Sequence, residues 1–311
     1  MMKQIFFAKY FQAISLKQTI FLLLLILVFE NALILWKYLS NEEKSVNPYS
    51  NTVEDRIIFI GGSGRSGTTL MRVLLDVHGS VFCGPETKLL PSLMSSINYF
   101  NQQYPPDYLL QKTSIYSKSI NEATANFIKY VLKTRKKQEN KIICAKDPPI
   151  LLYMGDLVNY FPKAKFIFMV RDGRDVALSM LKYEKKQYNF LNFVAKLKEW
   201  NSINNRTLSL CNKFGPNYCK IVVYEKLVTT KEIVLRDLMK FLELKWNNKL
   251  LSHENFMDSD VELGVSGWSN SQVIQPIYNK ISSKNWTRQI EDYDEKTVLK
   301  EIPMLKYFGY V

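Results

Sequence analysis

The chain has 311 residues, with 42 Lys and Arg against 29 Asp and Glu, a formal charge of +13 at pH 7 and 47% hydrophobic residues. That composition excludes a disordered, collagen-like or low-complexity chain, and the length suits one large α/β domain without internal repeats. Four cysteines (Cys83, Cys144, Cys211, Cys219) and two histidines (His78, His253) lack CxxC or HExxH spacing, which argues against a metal site, and basic residues spread without a block argue against nucleic acid.

The first feature in chain order is the apolar run from Gln18 to Trp36, interrupted by Glu30 and Asn31. It is long enough for a membrane helix of about 20 residues. Lys3, Lys9 and Lys17 precede it, whereas Lys37 and Lys44 follow it beside Glu42 and Glu43, so the charge bias keeps the N-terminus cytoplasmic. No A-x-A cleavage site follows, which favours an anchor over a signal peptide. The expected organisation is a cytoplasmic tail (1–17), a transmembrane signal anchor (18–36), a polar stem (37–54) and a lumenal domain (55–311). Two sequons, at Asn205 and Asn285, suit a secretory compartment, and Asn205 is the expected glycan acceptor. An oxidising lumen permits two disulfides in any of three connectivities; Cys211 and Cys219 flank Gly215-Pro216 and can pair locally.

Beyond the stem, Ile57–Ile60, Phe166–Val170 and Ile221–Tyr224 read as buried strands. The first precedes a glycine-rich turn and a helix with Leu70, Leu74 and Leu75 on one face; the second precedes a helix through Val176, Met180 and Leu181. Further helices are expected over Phe190 to Cys211, Thr230 to Leu242 and Glu295 to Tyr307. Strands alternating with helices predict an α/β fold, a P-loop-like parallel sheet flanked by helices, with ligands beyond the carboxyl ends of the strands.

The turn after the first strand, Gly62 to Thr69, has the spacing G-x-x-x-x-G-x-T, with Thr68 where a nucleoside triphosphatase carries lysine. Glycines let backbone N–H groups turn inward, and the following helix N-terminus favours an anion. Without the lysine that reaches the β- and γ-phosphates, a nucleoside triphosphate is not the expected ligand.

These residues resemble the sulfotransferase superfamily and, more narrowly, the tyrosylprotein sulfotransferase family. The likeness rests on Ile60-Gly61-Gly62, Arg65 to Arg72, Leu75 to His78, Cys83-Gly84-Pro85-Glu86-Thr87, Lys146-Asp147-Pro148, Met169 to Arg174, Tyr224-Glu225, Ser269 with Gln272 to Ile274, and Gly309-Tyr310. It implies a sulfotransferase fold whose loop, through Arg65, Ser66, Gly67, Thr68 and Thr69, holds 3′-phosphoadenylyl sulfate (PAPS) as sulfuryl donor, with no metal. Arg171 and Ser179 then match the 3′-phosphate pocket, and Tyr224, Ser269, Gln272 and Lys284 match other nucleotide contacts. The resemblance assigns Glu86 as the base that activates a tyrosine phenol. Lys146 and Ser269, with Arg65, become the groups that stabilise the transition state, and Thr87 and Lys88 meet the acceptor. It further implies the disulfides Cys83–Cys144 and Cys211–Cys219, a homodimer, a Golgi membrane location and protein substrates with acidic residues around the tyrosine. A carbohydrate sulfotransferase and an inactive PAPS-binding scaffold are the alternatives.

Several positions depart from the family pattern: Pro85 replaces an acidic residue, and Lys88, Ser92 and Tyr183 each replace an arginine. Lys88 keeps a charge but loses the two-pronged guanidinium, so a weaker preference for acidic flanks is expected. Tyr183 removes a 3′-phosphate contact unless Lys182 compensates. The stretch from Pro276 to Trp286 is one residue longer than usual, and a glycan on Asn285 would crowd the donor site, so that sequon is expected to be unused.

Overall fold

The computed structural model describes residues 31–32, 56–113, 116–135, 141–264, 273–274 and 286–311. The expected anchor, apart from Asn31 and Ala32, and the stem lie outside them, as do Ser269, Gln272, Lys284 and Asn285. Among the described residues no helix is long and apolar enough to cross a membrane.

Five parallel strands, β1 (Ile57–Gly62), β2 (Val81–Phe82), β3 (Ile142–Lys146), β4 (Lys165–Val170) and β5 (Cys219–Val223), lie in the order β2-β3-β1-β4-β5. Every residue of β1 is buried, as a strand covered on both faces requires, and this explains its unbroken apolar run. Alternate side chains feed two cores. Phe59, Phe166 and Phe168 point to one face, beneath Phe193, Leu197 and Trp200; Ile58, Ile60, Ile167 and Met169 point to the other, beneath Met71, Leu74 and Leu75.

Helices α1 (Thr68–His78), α2 (Leu89–Gln103), α3 (Pro106–Thr113) and α4 (Ser117–Thr134) precede β3. After it come a 3₁₀ turn (Pro148–Tyr153) and α5 (Met154–Tyr160), then α6 (Gly173–Glu184) and α7 (Phe190–Phe214) beyond β4, and α8 (Tyr224–Thr229) and α9 (Lys231–Phe241) beyond β5. The expected strand at Ile221–Tyr224 starts earlier, at Cys219, and Tyr224 instead opens α8. The single helix expected from Glu295 to Tyr307 is two, Glu295–Glu301 and Pro303–Tyr307, because Pro303 cannot continue the first and occupies the first position of the second.

The register aligns the carboxyl ends: Ile60 lies opposite Lys146, Gly62 opposite Met169, and Val170 opposite Val223. The glycine loop, Lys146, Arg171 and Tyr224 therefore share one edge of the sheet. The two expected disulfides are both formed: Cys83–Cys144 ties the segment after β2 to β3, and Cys211–Cys219 ties the end of α7 to β5.

Candidate active site

The loop from Gly62 to Gly67 is shaped for close approach. Gly62 has φ 143°, and a Cβ there would lie 2.3 Å from the Met169 carbonyl oxygen; Gly67 has φ 97°, and its Cβ would lie 2.6 Å from the Tyr224 ring. Only glycine fits either position. Arg65 also adopts a left-handed conformation, φ 67°. Helix α1 follows with no side-chain cap and no acid in its first turn, so its N-terminal N–H groups remain available to an anion. The Ser63 and Ser66 hydroxyls are fully buried in the loop and have no hydrogen-bond partner among the described residues.

Beside this cradle stands Lys146, 3% exposed at the end of β3. Its Nζ donates to Thr69 Oγ1 at 3.2 Å and pairs closely with Glu86 Oε1, so one ammonium links the phosphate loop to the carboxylate. Burial lowers the Lys146 pKa from its ordinary value; the charge of Glu86 opposes that shift without cancelling it. Glu86 itself is about one-third exposed, with one face on its cation and another open to solvent.

The segment bearing Glu86 is held at several points. Arg72 and Asp76 form a buried pair along α1 at 2.9 Å, and Asp76 Oδ1 accepts from the Cys83 and Gly84 N–H groups at 2.6 and 3.3 Å. Arg135 donates to the Pro85 carbonyl. Asp147, 1% exposed, accepts from Thr87 Oγ1 at 2.6 Å and from the Lys88 N–H at 2.9 Å. Desolvation raises the pKa values of both Asp76 and Asp147. Thr87 and Lys88 are thus anchored backward into the protein, and Ser92 Oγ donates to the Lys88 carbonyl at 3.0 Å.

On the other side of the loop, Arg65 Nε donates to Ser179 Oγ at 3.0 Å, which joins the loop cation to the expected 3′-phosphate residue. Arg171 stacks its guanidinium over Tyr224 with 4.7 Å to the ring centroid and pairs with Asp175 at 3.6 Å. A second layer fixes this turn. Glu225 accepts from the Asp172 N–H and from Tyr310 Oη, each at 2.9 Å, while Arg174 donates to both carboxylate oxygens of Asp172, at 3.0 and 2.8 Å, and to the Tyr310 carbonyl at 2.6 Å. Tyr183 is 58% exposed beyond Ser179.

Arg65, Ser66, Gly67, Thr68, Thr69, Glu86, Lys146, Arg171, Ser179 and Tyr224 therefore gather at one edge, as expected. Asp147 and the Asp172–Arg174–Glu225–Tyr310 network received no role from the sequence; their motifs were visible, but the contacts span 59 and 136 residues. Asn205 is exposed in the middle of α7, while Thr207 of its sequon is buried against the core. Among the described residues no cluster suited to a metal occurs.

A family model described as the sulfotransferase family matches residues 57–248. The protein-tyrosine sulfotransferase of Drosophila melanogaster is 34% identical over 278 residues, covering 88% of this chain but 55% of that protein, so the chain spans about half the length of that relative. Protein-tyrosine sulfotransferase A of Caenorhabditis elegans is 31% identical over 81% of this chain and 67% of its own length; protein-tyrosine sulfotransferase 1 of Homo sapiens is 32% identical over 82% and 69%. Among solved structures, a sulfotransferase domain from the curacin biosynthetic pathway superposes with a TM-score of 0.57 at 21% identity, covering 81% of this chain and 98% of that one, a likeness of fold.

Proposed function

The chain belongs to the sulfotransferase family and, within it, to the protein-tyrosine sulfotransferases, and from that premise we propose that it transfers a sulfuryl group from PAPS to the phenol oxygen of tyrosine in proteins. The observation that carries the reading is the Glu86–Lys146 pair beside the glycine loop, a base and a cation at an anion cradle.

The donor supplies an activated sulfuryl group, whose sulfur–oxygen bond to the 5′-phosphate breaks as the phenol oxygen bonds to sulfur and leaves 3′-phosphoadenosine 5′-phosphate. A phenol with a pKa near 10 is a weak nucleophile at neutral pH, so Glu86 accepts its proton. Lys146, pre-positioned between Thr69 and Glu86, offsets negative charge that grows on the leaving oxygen, and Arg65 assists from the loop. The Ser66 hydroxyl and the α1 N–H groups bind the 5′-phosphate side; Arg171 offers its guanidinium to the 3′-phosphate. Ser269 and Gln272, which precede the described Val273, and Lys284 complete the expected set. We extend the reading to a Golgi type II homodimer, a placement supported by the apolar run at 18–36 and the paired cysteines.

The experiment is transfer of labelled sulfate from PAPS by the full chain to a tyrosine peptide with acidic flanks. Incorporation that disappears in Glu86→Ala is the expected result. A chain that binds 3′-phosphoadenosine 5′-phosphate but sulfates glycans instead of the peptide would overturn the tyrosine reading.

A further inference from the structure

Glu86 sits on a six-residue segment, Cys83 to Lys88, with no regular secondary structure of its own, yet a base must be held within a fraction of an ångström of its acceptor. Asp147 supports it from the C-terminal side, through the two residues that follow Glu86. It follows Lys146 directly, so two adjacent residues at the end of β3 grip three adjacent residues of the segment: Lys146 holds Glu86, while the two oxygens of Asp147 hold Thr87 and Lys88.

The Asp147 carboxylate has no local employment. An aspartate at a helix N-cap ordinarily accepts from the first turn of that helix. Asp147 is the N-cap of the 3₁₀ turn at Pro148, but makes no such bond, and Pro148 and Pro149 offer no N–H groups at the first two positions. Both oxygens turn to Thr87 and Lys88 instead, across 60 and 59 residues of sequence respectively. Thr87 Oγ1 in turn accepts from the Leu90 N–H at 3.2 Å, so the grip reaches the first turn of α2. Lys88 gains by it: the residue has φ 55°, a conformation uncommon for a residue other than glycine.

We propose that Asp147 is a positioning residue for the reaction, one that fixes the Glu86 carboxylate against Lys146 by clamping Thr87 and Lys88. Asp147 acts through Glu86 and itself touches neither donor nor acceptor. The kinetic part of this inference rests on the function proposed above, whereas the structural part does not.

The test uses the full chain with Asp147→Ala, Asp147→Asn and Thr87→Val, in two readouts. In sulfate transfer, Asp147→Ala is expected to lower kcat about 100-fold, the scale of a 1 Å misplacement, with binding of 3′-phosphoadenosine 5′-phosphate unchanged. Asn, which keeps an acceptor for the Lys88 N–H, is expected to restore most of the rate. Thr87→Val is expected to lower the rate alone but to add little on the Ala background, because both remove one clamp. In hydrogen exchange, the Lys88 amide is expected to lose protection in Asp147→Ala while β1 and β4 keep theirs. Unchanged kcat and unchanged Lys88 protection would overturn the proposal, as would a fully additive double variant. Should Asp147→Ala fail to fold, Thr87→Val decides it by the same two readouts. A wild-type chain that transfers nothing to tyrosine sinks the functional reading, and the exchange result then decides the clamp by itself.

Discussion

The two banks of the site are built by different physics. The proposed donor bank, from Gly62 to Thr69 with Arg171 and Tyr224, is made mostly of backbone: glycines that admit close approach and an uncapped helix, joined by one guanidinium lying on an aromatic ring. The acceptor bank, from Cys83 to Lys88, is made of buried charge, with Asp76, Arg135, Lys146 and Asp147 each holding part of a segment that could not hold itself. A phosphate can be met by N–H groups that any residue supplies, so shape suffices there. A base needs one carboxylate at one place, and that takes side chains recruited from three other elements.

If the division is right, damage to the two banks should separate kinetically. The largest effect expected is on the acceptor bank: Glu86→Gln should lower kcat by about 100- to 10,000-fold while binding of 3′-phosphoadenosine 5′-phosphate persists. Gly67→Ala should do the reverse, abolishing measurable nucleotide binding in calorimetry, since its Cβ would meet the Tyr224 ring at 2.6 Å. Equal loss of binding in both variants would erase the distinction.

Lys146 belongs to both banks, and its substitution by Met should cost about 100- to 1,000-fold in kcat. Its pH behaviour is more telling. Burial lowers its pKa, so the folded protein releases that proton before the unfolded chain does. As pH rises through the lowered folded value toward the ordinary one, the unfolded chain holds more protons and stability gains, whereas transfer declines as Glu86 loses its cation. The difference between wild type and Lys146→Met in thermal melts should therefore move opposite to the alkaline limb of kcat/KM. Parallel movement would show that Lys146 acts only as packing.

Smaller effects sharpen the picture further out. Tyr310→Phe removes the donor to Glu225 and should raise the KM for PAPS several-fold with kcat retained, in line with about 0.5 to 1.5 kcal/mol for one hydrogen bond. Lys88→Arg together with Ser92→Arg should improve kcat/KM for acidic-flanked over neutral-flanked peptides by a few-fold, the scale of about 0.2 to 1 kcal/mol for exposed pairs. No change in that ratio would place the acidic preference elsewhere.

The donor bank was legible in the sequence because its signals are local: Gly62, Gly67 and Thr69 stand within one turn of strand and helix, and Ile57–Ile60 announces the strand before them. That Glu86 and Lys146 stand together beside the loop was legible only through family resemblance, since nothing within a few residues of Glu86 sets it apart from a surface acid. The acceptor scaffold was not legible. Asp76 reads as one acid on an amphipathic helix and Asp147 as a turn residue before two prolines; only the tertiary fold brings them to Cys83, Thr87 and Lys88. Helices α2 to α4 also escaped the reading, because few of their residues are buried: Leu90 and Met94 in α2, and Thr124, Ile128 and Leu132 in α4, leave a weak periodic signal.

The strand order carries a consequence for biogenesis. Central β1 pairs with β3, complete by Lys146, and with β4, which begins at Lys165. During vectorial synthesis the half-sheet β2-β3-β1, with its Cys83–Cys144 crosslink and the whole acceptor bank, can assemble while β4 and β5 have yet to emerge. The proposed nucleotide pocket closes last, when Arg171 and Tyr224 arrive. Captured intermediates in which Lys146 has emerged but Arg171 has not should accordingly contain the first disulfide but no affinity for nucleotide, making donor binding a signature of the finished chain.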